Sequence, residues 1–502
     1  MSDGNEVELK LEIDPADAAR LIDHPLVKRV EPRRARQVST YYDSGKGALR
    51  AAGYSLRLRR TGDRVVQTVK RQEDGAAGLF DRPEWEREIA GNQIDFDALA
   101  DTPVGPLVAK LRKRLKPIVS TEVERTVWLL THDGAEIEMI LDRGPIRGGK
   151  REAELSEVEL ELKRGKPAAL IDAARSLAKD VPLKIGVMTK AERGFALANG
   201  GLDKAAKAGR VRVGPEMDVA AGLAAIVHAC LRHFRLNEPL VVARRDPAAL
   251  HQARVAMRRL RSAFSLFGSA AGDEEFGRLR EELRWFTGQL GDARNLDVFL
   301  KRLPYGRDTK TFRKRLEAAR RDAYDRVLEA LASKRMRLMM LDLVAWVELG
   351  RWRSGKAAAA PLADFAEAQL DRRWRKVKKR GRDIAGVDPE ARHRLRIDIK
   401  KLRYAVEFMA GLQAEEGRNK AFAGGLEAMQ ESLGELNDME TARELIAALP
   451  KEVRAAAPAS AFAALDPKEQ AARTEALIAD AQAGHARLKE AGPFWRGAAA
   501  SA

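Results

Sequence analysis

One cysteine in 502 residues, Cys230, excludes an intramolecular disulfide and any metal site built from thiolates, so a metal here is held by oxygen or imidazole. Aromatic residues make up only 6%, and no nucleic-acid reader motif appears, which argues against base recognition. No uninterrupted apolar run reaches the roughly 18 residues that a spanning helix needs. The N-terminus carries Asp3, Glu6 and Glu8 instead of a basic stretch followed by an apolar one. The expectation is therefore a cytoplasmic chain with no membrane partner.

What is present is a globular composition, with 45% hydrophobic and 33% charged residues, enough for two or three cores. The net charge of +17 is unevenly spread. Residues 1–200 hold 35 Lys and Arg against 33 Asp and Glu, which leaves +15 on residues 201–502. A balanced first part beside a basic second part suggests two domains, the second attracting a polyanion or simply bearing a soluble cationic surface.

Residues 1–200 read as strands. Glu6 to Glu12, Tyr54 to Arg59, Arg64 to Lys70, Ile137 to Asp142 and Glu157 to Lys163 alternate polar and apolar residues. Breakers fall at Gly62-Asp63, Gly75 to Gly78, Asp133-Gly134 and Gly144 to Gly149, with helical inserts near Asp14 to Leu26 and Phe96 to Leu115. Because side chains on a strand alternate with period two, Glu6, Glu8 and Lys10 share one face, as do Arg57 and Arg59, and Glu157, Glu159 and Glu161. A single such row suits the wet side of an antiparallel sheet. Several rows, acidic on some strands and basic on others, would line a charged tunnel if turned inward.

Glu6-x-Glu8-x-Lys10 resembles the ExExK signature of the CYTH domain, the triphosphate tunnel metalloenzymes. In family order follow Ser55-Leu56-Arg57-Leu58-Arg59, Thr68-Val69-Lys70, Arg82-Pro83-Glu84-Trp85-Glu86, Thr121 to Arg125, Leu141-Asp142, the Glu157 to Glu161 strand and Thr189-Lys190-Ala191-Glu192-Arg193-Gly194. The resemblance covers residues 1–200 and implies an antiparallel β-barrel that hydrolyses a triphosphate. It agrees with what the residues can do unaided. Lys10, Arg57, Arg59, Lys70, Arg125 and Lys190 would clamp the substrate, with Glu84 and Glu86 beside them. Carboxylates meet phosphate favourably only across a cation, so Glu6, Glu8, Glu157 and Glu159, backed by Asp142 and Glu161, would hold Mg²⁺ or Mn²⁺. Glu6, Glu8, Lys10 and Glu159 form the catalytic set, a carboxylate or a water on the metal delivering the nucleophile in line. Family members include adenylate cyclases and thiamine, RNA and inorganic triphosphatases. Inorganic triphosphate is favoured by analogy with members fused to the helical domain described next.

Residues 201–215 read as a linker, and from about Val219 the pattern turns helical. His251-Gln-Ala-Arg254-Val-Ala-Met-Arg258-Arg259-Leu260-Arg261 recurs as His393-Arg-Leu-Arg396-Ile-Asp-Ile-Lys400-Lys401-Leu402-Arg403. Leu290-Gly291-Asp292 then answers Leu433-Gly434-Glu435, followed by Asn295 and Asn437. These Gly pairs read as helix caps or breaks. On a helix His251, Arg254, Arg258 and Arg261 fall within roughly 80° of arc, opposite Ala256, Leu260, Phe264 and Phe267. His393, Arg396, Lys400 and Arg403 repeat that column. Like charges at these spacings repel, which favours an anionic ligand over a merely solvated face. Neither histidine has a carboxylate or histidine four residues away, so both are read as phosphate donors and not zinc ligands.

Residues 216–495 resemble the CHAD domain, a helical domain commonly found after a CYTH domain. The resemblance implies two pseudo-symmetric four-helix bundles and a basic surface that binds inorganic polyphosphate, extended by Arg372 to Arg380. The fold class expected is thus α+β multidomain, a β-barrel followed by an all-α region. Three functions stay open: a metal-dependent triphosphatase that also binds polyphosphate, a nucleic-acid-binding protein, and an inactive barrel kept as a phosphate sensor.

Overall fold

The computed structural model describes residues 6–71, 78–303, 305–307, 309–412, 416–448 and 467–496, the side chains of residues 6, 79–82, 416–419, 438–448 and 467–470 excepted. The chain is α+β, with strands first and helices after. The strands are β1 (Glu6–Glu12), β2 (Arg33–Ser44), β3 (Tyr54–Thr61), β4 (Arg64–Arg71), β5 (Leu79–Arg82), β6 (Glu84–Glu88), β7 (Leu115–His132), β8 (Ala135–Gly148), β9 (Arg151–Arg164) and β10 (Lys184–Ile185). They form one antiparallel sheet in the order β10-β1-β9-β8-β7-β2-β3-β4-β6, with β5 also on β1.

The ladder is not closed, which corrects the expected barrel. β6 ends it beside β4, while β5 pairs with β1. Pro83 stands between β5 and β6 and has no N–H to donate, so the strand breaks there. The chain joins the two edges through Pro83 without a continuous ladder of hydrogen bonds. The expected turn at Asp133-Gly134 is present, both residues at positive φ (48° and 70°) as a tight two-residue hairpin demands. Gly144 to Gly148 is not a break but part of β8. A Cβ at Gly144 would lie 2.1 Å from the Glu122 carbonyl, so the missing side chain lets β8 pass close to β7. Of the Gly75 to Gly78 breaker, residues 75–77 lie outside the described residues.

Helices cover the apolar face of the sheet. They are α1 (Ala18–Ile22), α2 (Ala48–Ala51), α3 (Gly105–Leu111), α4 (Ala168–Asp180) and α5 (Lys190–Ala198). Leu9, Leu11, Val158 and Leu160 are fully buried on β1 and β9, the strands over which α4 packs. Leu56 and Val69 pack with Leu49 of α2 and Val104, Val108 and Leu111 at α3. Ala191, Phe195 and Leu197 of α5 pack with Val119, Val123 and Ile146. With the apolar side sealed by helices, the charged rows are left on the concave side.

The remaining helices are α6 (Val219–Arg244), α7 (Pro247–Ala271), α8 (Glu274–Arg302), α9 (Lys310–Ala332), α10 (Lys334–Leu349), α11 (Leu362–Arg380), α12 (Pro389–Phe408), α13 (Glu416–Ala448) and α14 (Pro467–Ala491). Two compact units result. One comprises residues 1–208, 231–253 and 331–350, the other residues 209–230, 254–330 and 351–502. By length and composition α6 alone among the described helices could cross a membrane, yet 67% of that stretch is buried within the protein, as in a core helix. The two repeats lie on α7 and α12. Gly291-Asp292 and Gly434-Glu435 fall inside α8 and α13, which corrects their reading as caps. At Gly291 a Cβ would come within 3.2 Å of Arg254 Nη1, so the glycine makes room for a guanidinium from α7. Trp374 is buried against Phe422, as a packing residue.

Candidate active site

Strand register assembles the charged rows. Across β1 and β9, Lys10 stands opposite Glu159, Glu8 opposite Glu161 and Glu12 opposite Glu157. Across β9 and β8, Glu157 faces Asp142 and Glu161 faces Glu138, and on β7 Arg125 faces Asp142. The concave side of the sheet encloses a cavity of about 290 Å³, into which Glu8, Lys10, Arg57, Arg59, Lys70, Glu84, Glu86, Arg125, Glu159, Glu161 and Lys190 all project.

One wall is a knot of opposite charges. Lys10 Nζ meets Glu157 and Glu159, each at 2.8 Å. Lys190 Nζ meets Asp142 at 2.8 Å and Glu159 at 3.1 Å, and also contacts Glu157. Arg125 forms a two-pronged pair with Asp142, Nε to Oδ1 at 2.8 Å and Nη2 to Oδ2 at 2.5 Å, and reaches Glu159 at 3.4 Å. Carboxylate oxygens of Asp142, Glu157 and Glu159 lie within 4.8 Å of one another, an arrangement that suits a hard divalent cation. Burial alone would neutralise these groups, but their partners outweigh it. Lys190 and Arg125 hold Asp142 below the usual carboxylate range, and Lys10, Lys190 and Arg125 hold Glu159 well below it. Conversely burial works against the ammonium of Lys190, and Asp142, Glu157 and Glu159 raise its pKa well above normal.

Lys190 stands at the first position of a helix. It opens α5, whose N-cap Thr189 accepts from the Glu192 amide while the Glu192 carboxylate accepts from the Thr189 amide, a complete capping box. A cation at a helix N-terminus is disfavoured by the dipole, so its place beside three carboxylates is set by the site and not by the helix.

The opposite wall comes from β3, β4 and β6. Arg57 stands 3.7 Å from Glu84 and 3.6 Å from Glu86, Lys70 stands 2.6 Å from Glu84, and Thr68 donates to Glu86 at 2.8 Å while accepting from Arg57 at 3.3 Å. Glu84 and Glu86 thus orient cations, a role distinct from touching an anion themselves. Arg59 differs from its neighbours. Among the described residues it has no carboxylate within 4 Å, and burial together with Arg57 and Arg125 pushes its pKa down to about 10. A guanidinium under that strain attracts an anion.

The side chain of Glu6 lies outside those described. Asp142 and Glu157 do not line the cavity but pair with its lysines, while Glu8 and Glu161 line it. Glu138, Lys163 and Tyr41 line it too and were not foreseen from the sequence. Glu138 had a signal, since it shares strand parity with Asp142 in the alternating Ile137 to Asp142 run. Lys163 stands 3.7 Å from Glu138 and contacts Glu161, compensating part of the acidic Glu8-Glu161-Glu138 row.

In the helical half, Ala256, Leu260, Phe264 and Phe267 of α7 are buried, as the stripe predicts. Arg254 and Arg258 on α7, and Arg396, Lys400 and Arg403 on α12, are half-buried, whereas Arg261 and His393 are exposed. His251 falls in the first unit and the rest of its column in the second; the His393 column lies wholly in the second. Burial, and the neighbouring Arg258, Arg294 and Arg261, push the Arg254 pKa down to about 10. His393 Nδ1 hydrogen-bonds with Asn437 Oδ1, joining two features of the second repeat.

A charge-lined cavity within a curled antiparallel sheet, joined to a basic helical region, defines the class. Comparison with known families makes it specific: residues 4–195 match the CYTH domain and residues 225–447 the CHAD domain, so the chain carries one followed by the other. It is 30% identical over 196 residues to an inorganic triphosphatase of Haemophilus influenzae; the match covers 39% of this chain and 55% of that protein, so it spans about half of the relative's length. It is similar to the crystal structure of the CHAD domain from the plant Ricinus communis, at 29% identity and a TM-score of 0.50, covering 56% of this chain and 96% of that one. A putative adenylyl cyclase from Hippeastrum, described as having a dominant triphosphatase activity, is 18% identical with a TM-score of 0.30, over 39% of this chain and 96% of that one.

Proposed function

We propose that the chain is a hydrolase that splits inorganic triphosphate into pyrophosphate and phosphate in the β-sheet cavity, and that its basic helical domain binds inorganic polyphosphate. In this reading residues 1–200 form the catalytic domain, 201–215 the linker and 216–495 the polyphosphate-binding domain of a cytoplasmic protein. The observation that carries it is the coexistence, in one cavity, of the incompletely compensated Arg59 and of Glu159, Lys10 and Lys190, through which the buried Asp142 and Glu157 join the same charge cluster. An anion site without carboxylates would bind phosphate alone, and a carboxylate site without such cations would bind metal alone.

The residues divide the work. Arg57, Arg59, Lys70 and Arg125 hold the phosphoryl oxygens from two walls, while Lys10 and Lys190 stand between substrate and carboxylates. Like charges directly opposite one another are destabilising, so the Glu8-Glu161-Glu138 row and the Asp142-Glu157-Glu159 cluster are the oxygen sets that would take Mg²⁺ or Mn²⁺. The ion, when bound, neutralises charge on the transferring phosphoryl group. Attack by water breaks one P–O–P link and forms one P–O bond, its proton leaving to solvent or a carboxylate. Glu159, held ionised, is a weak base, which suits a loose transition state that asks for charge stabilisation more than proton abstraction. Tyr41 is the single aromatic lining the cavity among the described residues, so a nucleobase or thiazole finds little to stack on. The deciding experiment is phosphate release from tripolyphosphate, ATP, thiamine triphosphate and long-chain polyphosphate with Mg²⁺ and with Mn²⁺. Tripolyphosphate should be the preferred substrate, and preference for ATP would replace this assignment.

A further inference from the structure

We propose that Arg232, carried on α6, is a positioning residue that aims Lys190 into the cavity; the proposal rests on the assignment of that cavity as a triphosphate site. The CYTH match ends at residue 195, so α6 supplies from further along the chain a part that the catalytic domain itself lacks.

Arg232 grips the segment on both sides of Lys190. One guanidinium nitrogen donates to the carbonyl of Val187, and the other to Glu192 Oε1 at 3.0 Å. The second oxygen of Glu192 accepts from the Thr189 amide at 2.8 Å. The turn Met188-Thr189 is thus fastened at 187, 189 and 192 by one arginine and one glutamate. One helical turn on, Arg235 extends the grip. Its Nε donates to the Ile185 carbonyl at 2.9 Å and its Nη2 to Glu12 at 2.7 Å, while Arg193 takes the other Glu12 oxygen at 2.9 Å. Arg235 is only 3% exposed, and Glu238 and Glu12 outweigh its burial. Glu12 lies on the same strand face as Lys10, two residues away. Gly186 closes the assembly, since its amide donates to the Lys10 carbonyl at 2.8 Å and a Cβ there would sit 2.6 Å from Lys10 Cγ.

A lysine on a four-carbon stem is free to point elsewhere unless its backbone is fixed. Here the backbone is fixed from α6, at a point away from the cavity. Arg232 is not among the residues that line the cavity, and its partners are Val187 and Glu192 and not the Asp142-Glu157-Glu159 cluster, so its effect passes through Lys190.

A double-mutant cycle on the full-length protein tests this. kcat and KM for tripolyphosphate, and tripolyphosphate binding by calorimetry, are measured for the wild type, Arg232→Met, Arg232→Lys, Lys190→Ala and the Arg232→Met/Lys190→Ala double variant. Arg232→Met should lower kcat/KM and affinity by about tenfold in the wild-type background but by no more than about twofold once Lys190 is gone, the non-additivity expected of residues acting as one unit. Arg232→Lys should recover part of the loss, because it keeps the charge beside Glu192. If Arg232→Met fails to fold, as its melting curve would report, Arg232→Lys and Arg232→Gln carry the same cycle. An equal loss in both backgrounds, or none in either, overturns the proposal. A wild type that binds tripolyphosphate without cleaving it removes the hydrolase assignment, yet the binding arm still decides the role of Arg232. Absence of binding overturns both.

Discussion

Lys10 and Glu159 stand directly opposite each other on neighbouring antiparallel strands, and the ammonium of one meets the carboxylate of the other at 2.8 Å. A cross-strand pair of this kind is ordinary on a sheet surface, where it contributes little. Here both side chains are buried, and each is shared with further ions, so removing either member exposes the rest of the knot.

Divalent metal is the first requirement to test. Tripolyphosphate hydrolysis should stop in EDTA and return with Mg²⁺ or Mn²⁺. Glu8→Gln, which keeps shape but removes a charge from the acidic row, should lower kcat by about a hundredfold, equivalent to roughly 2.7 kcal/mol, with little change in melting temperature. Full turnover in EDTA would sink the metal assignment.

Arg59 and Arg57 should behave differently although two residues apart on one face. Arg59→Ala removes a cation that lacks a close carboxylate, so tripolyphosphate binding should weaken by about 1.5–3 kcal/mol while the melting temperature holds or rises. Arg57→Ala removes a buried guanidinium and leaves the half-buried Glu84 with Lys70 alone, so stability should fall as well. Parallel KM and calorimetric measurements separate the two; identical profiles would contradict the difference in compensation.

Acid stability follows from the depressed carboxylates. Asp142 and Glu159 have folded pKa values below their unfolded values of about 3.9 and 4.3, so their contribution is present above about pH 4–5 and is lost as pH falls through the lower folded values. Lys190 has the opposite sign: raised in the fold, it contributes below about pH 10.4 and is lost only as pH rises through a still higher value. Melting temperature should therefore be level between these limits and fall on the acid side. Asp142→Asn should melt lower near neutrality and show a shallower acid decline; an unchanged acid slope would contradict the linkage.

For the helical half the full chain is the proper reagent, because residues 231–253 pack in the first unit and a fragment starting at 210 would lose those neighbours. Converting Arg254, Arg258, Arg396 and Lys400 together to Glu should abolish binding of long-chain polyphosphate while helicity and tripolyphosphate turnover persist. Wild-type affinity should fall steeply with salt as bound phosphates release counterions. At equal phosphate concentration polyphosphate should bind more tightly than duplex DNA, and tighter DNA binding would favour a nucleic-acid role.

The period-two alternation carried the site a long way in the sequence. Once Glu8, Lys10, Glu157, Glu159 and Glu161 are on strands, parity alone puts each row on one face. Parity does not say which face is concave; burial of Leu9, Leu11, Val158 and Leu160 beneath helices does. Nor does it fix register, which made Glu138 a neighbour of Glu161 and left it unforeseen. Local composition misled at Gly144 and Gly291, where glycine signals close approach of another segment and not an end. Arg232 and Arg235 were beyond sequence reading because their partners, Glu192 and Glu12, are 40 and 223 residues away and nothing in the spacing links them.

The knot formed by Asp142, Glu157 and Glu159 with Lys10, Lys190 and Arg125 has no net charge, which makes occupation of the cavity an ion exchange. An anion that draws the lysines toward itself bares the carboxylates, and a divalent cation that takes the carboxylates releases the lysines. On the proposed assignment each arrival would lower the cost of the other, so by reciprocity metal would tighten triphosphate and triphosphate would tighten metal by the same factor. Such a site would answer to the product of two concentrations, its charges paired with one another when either is scarce.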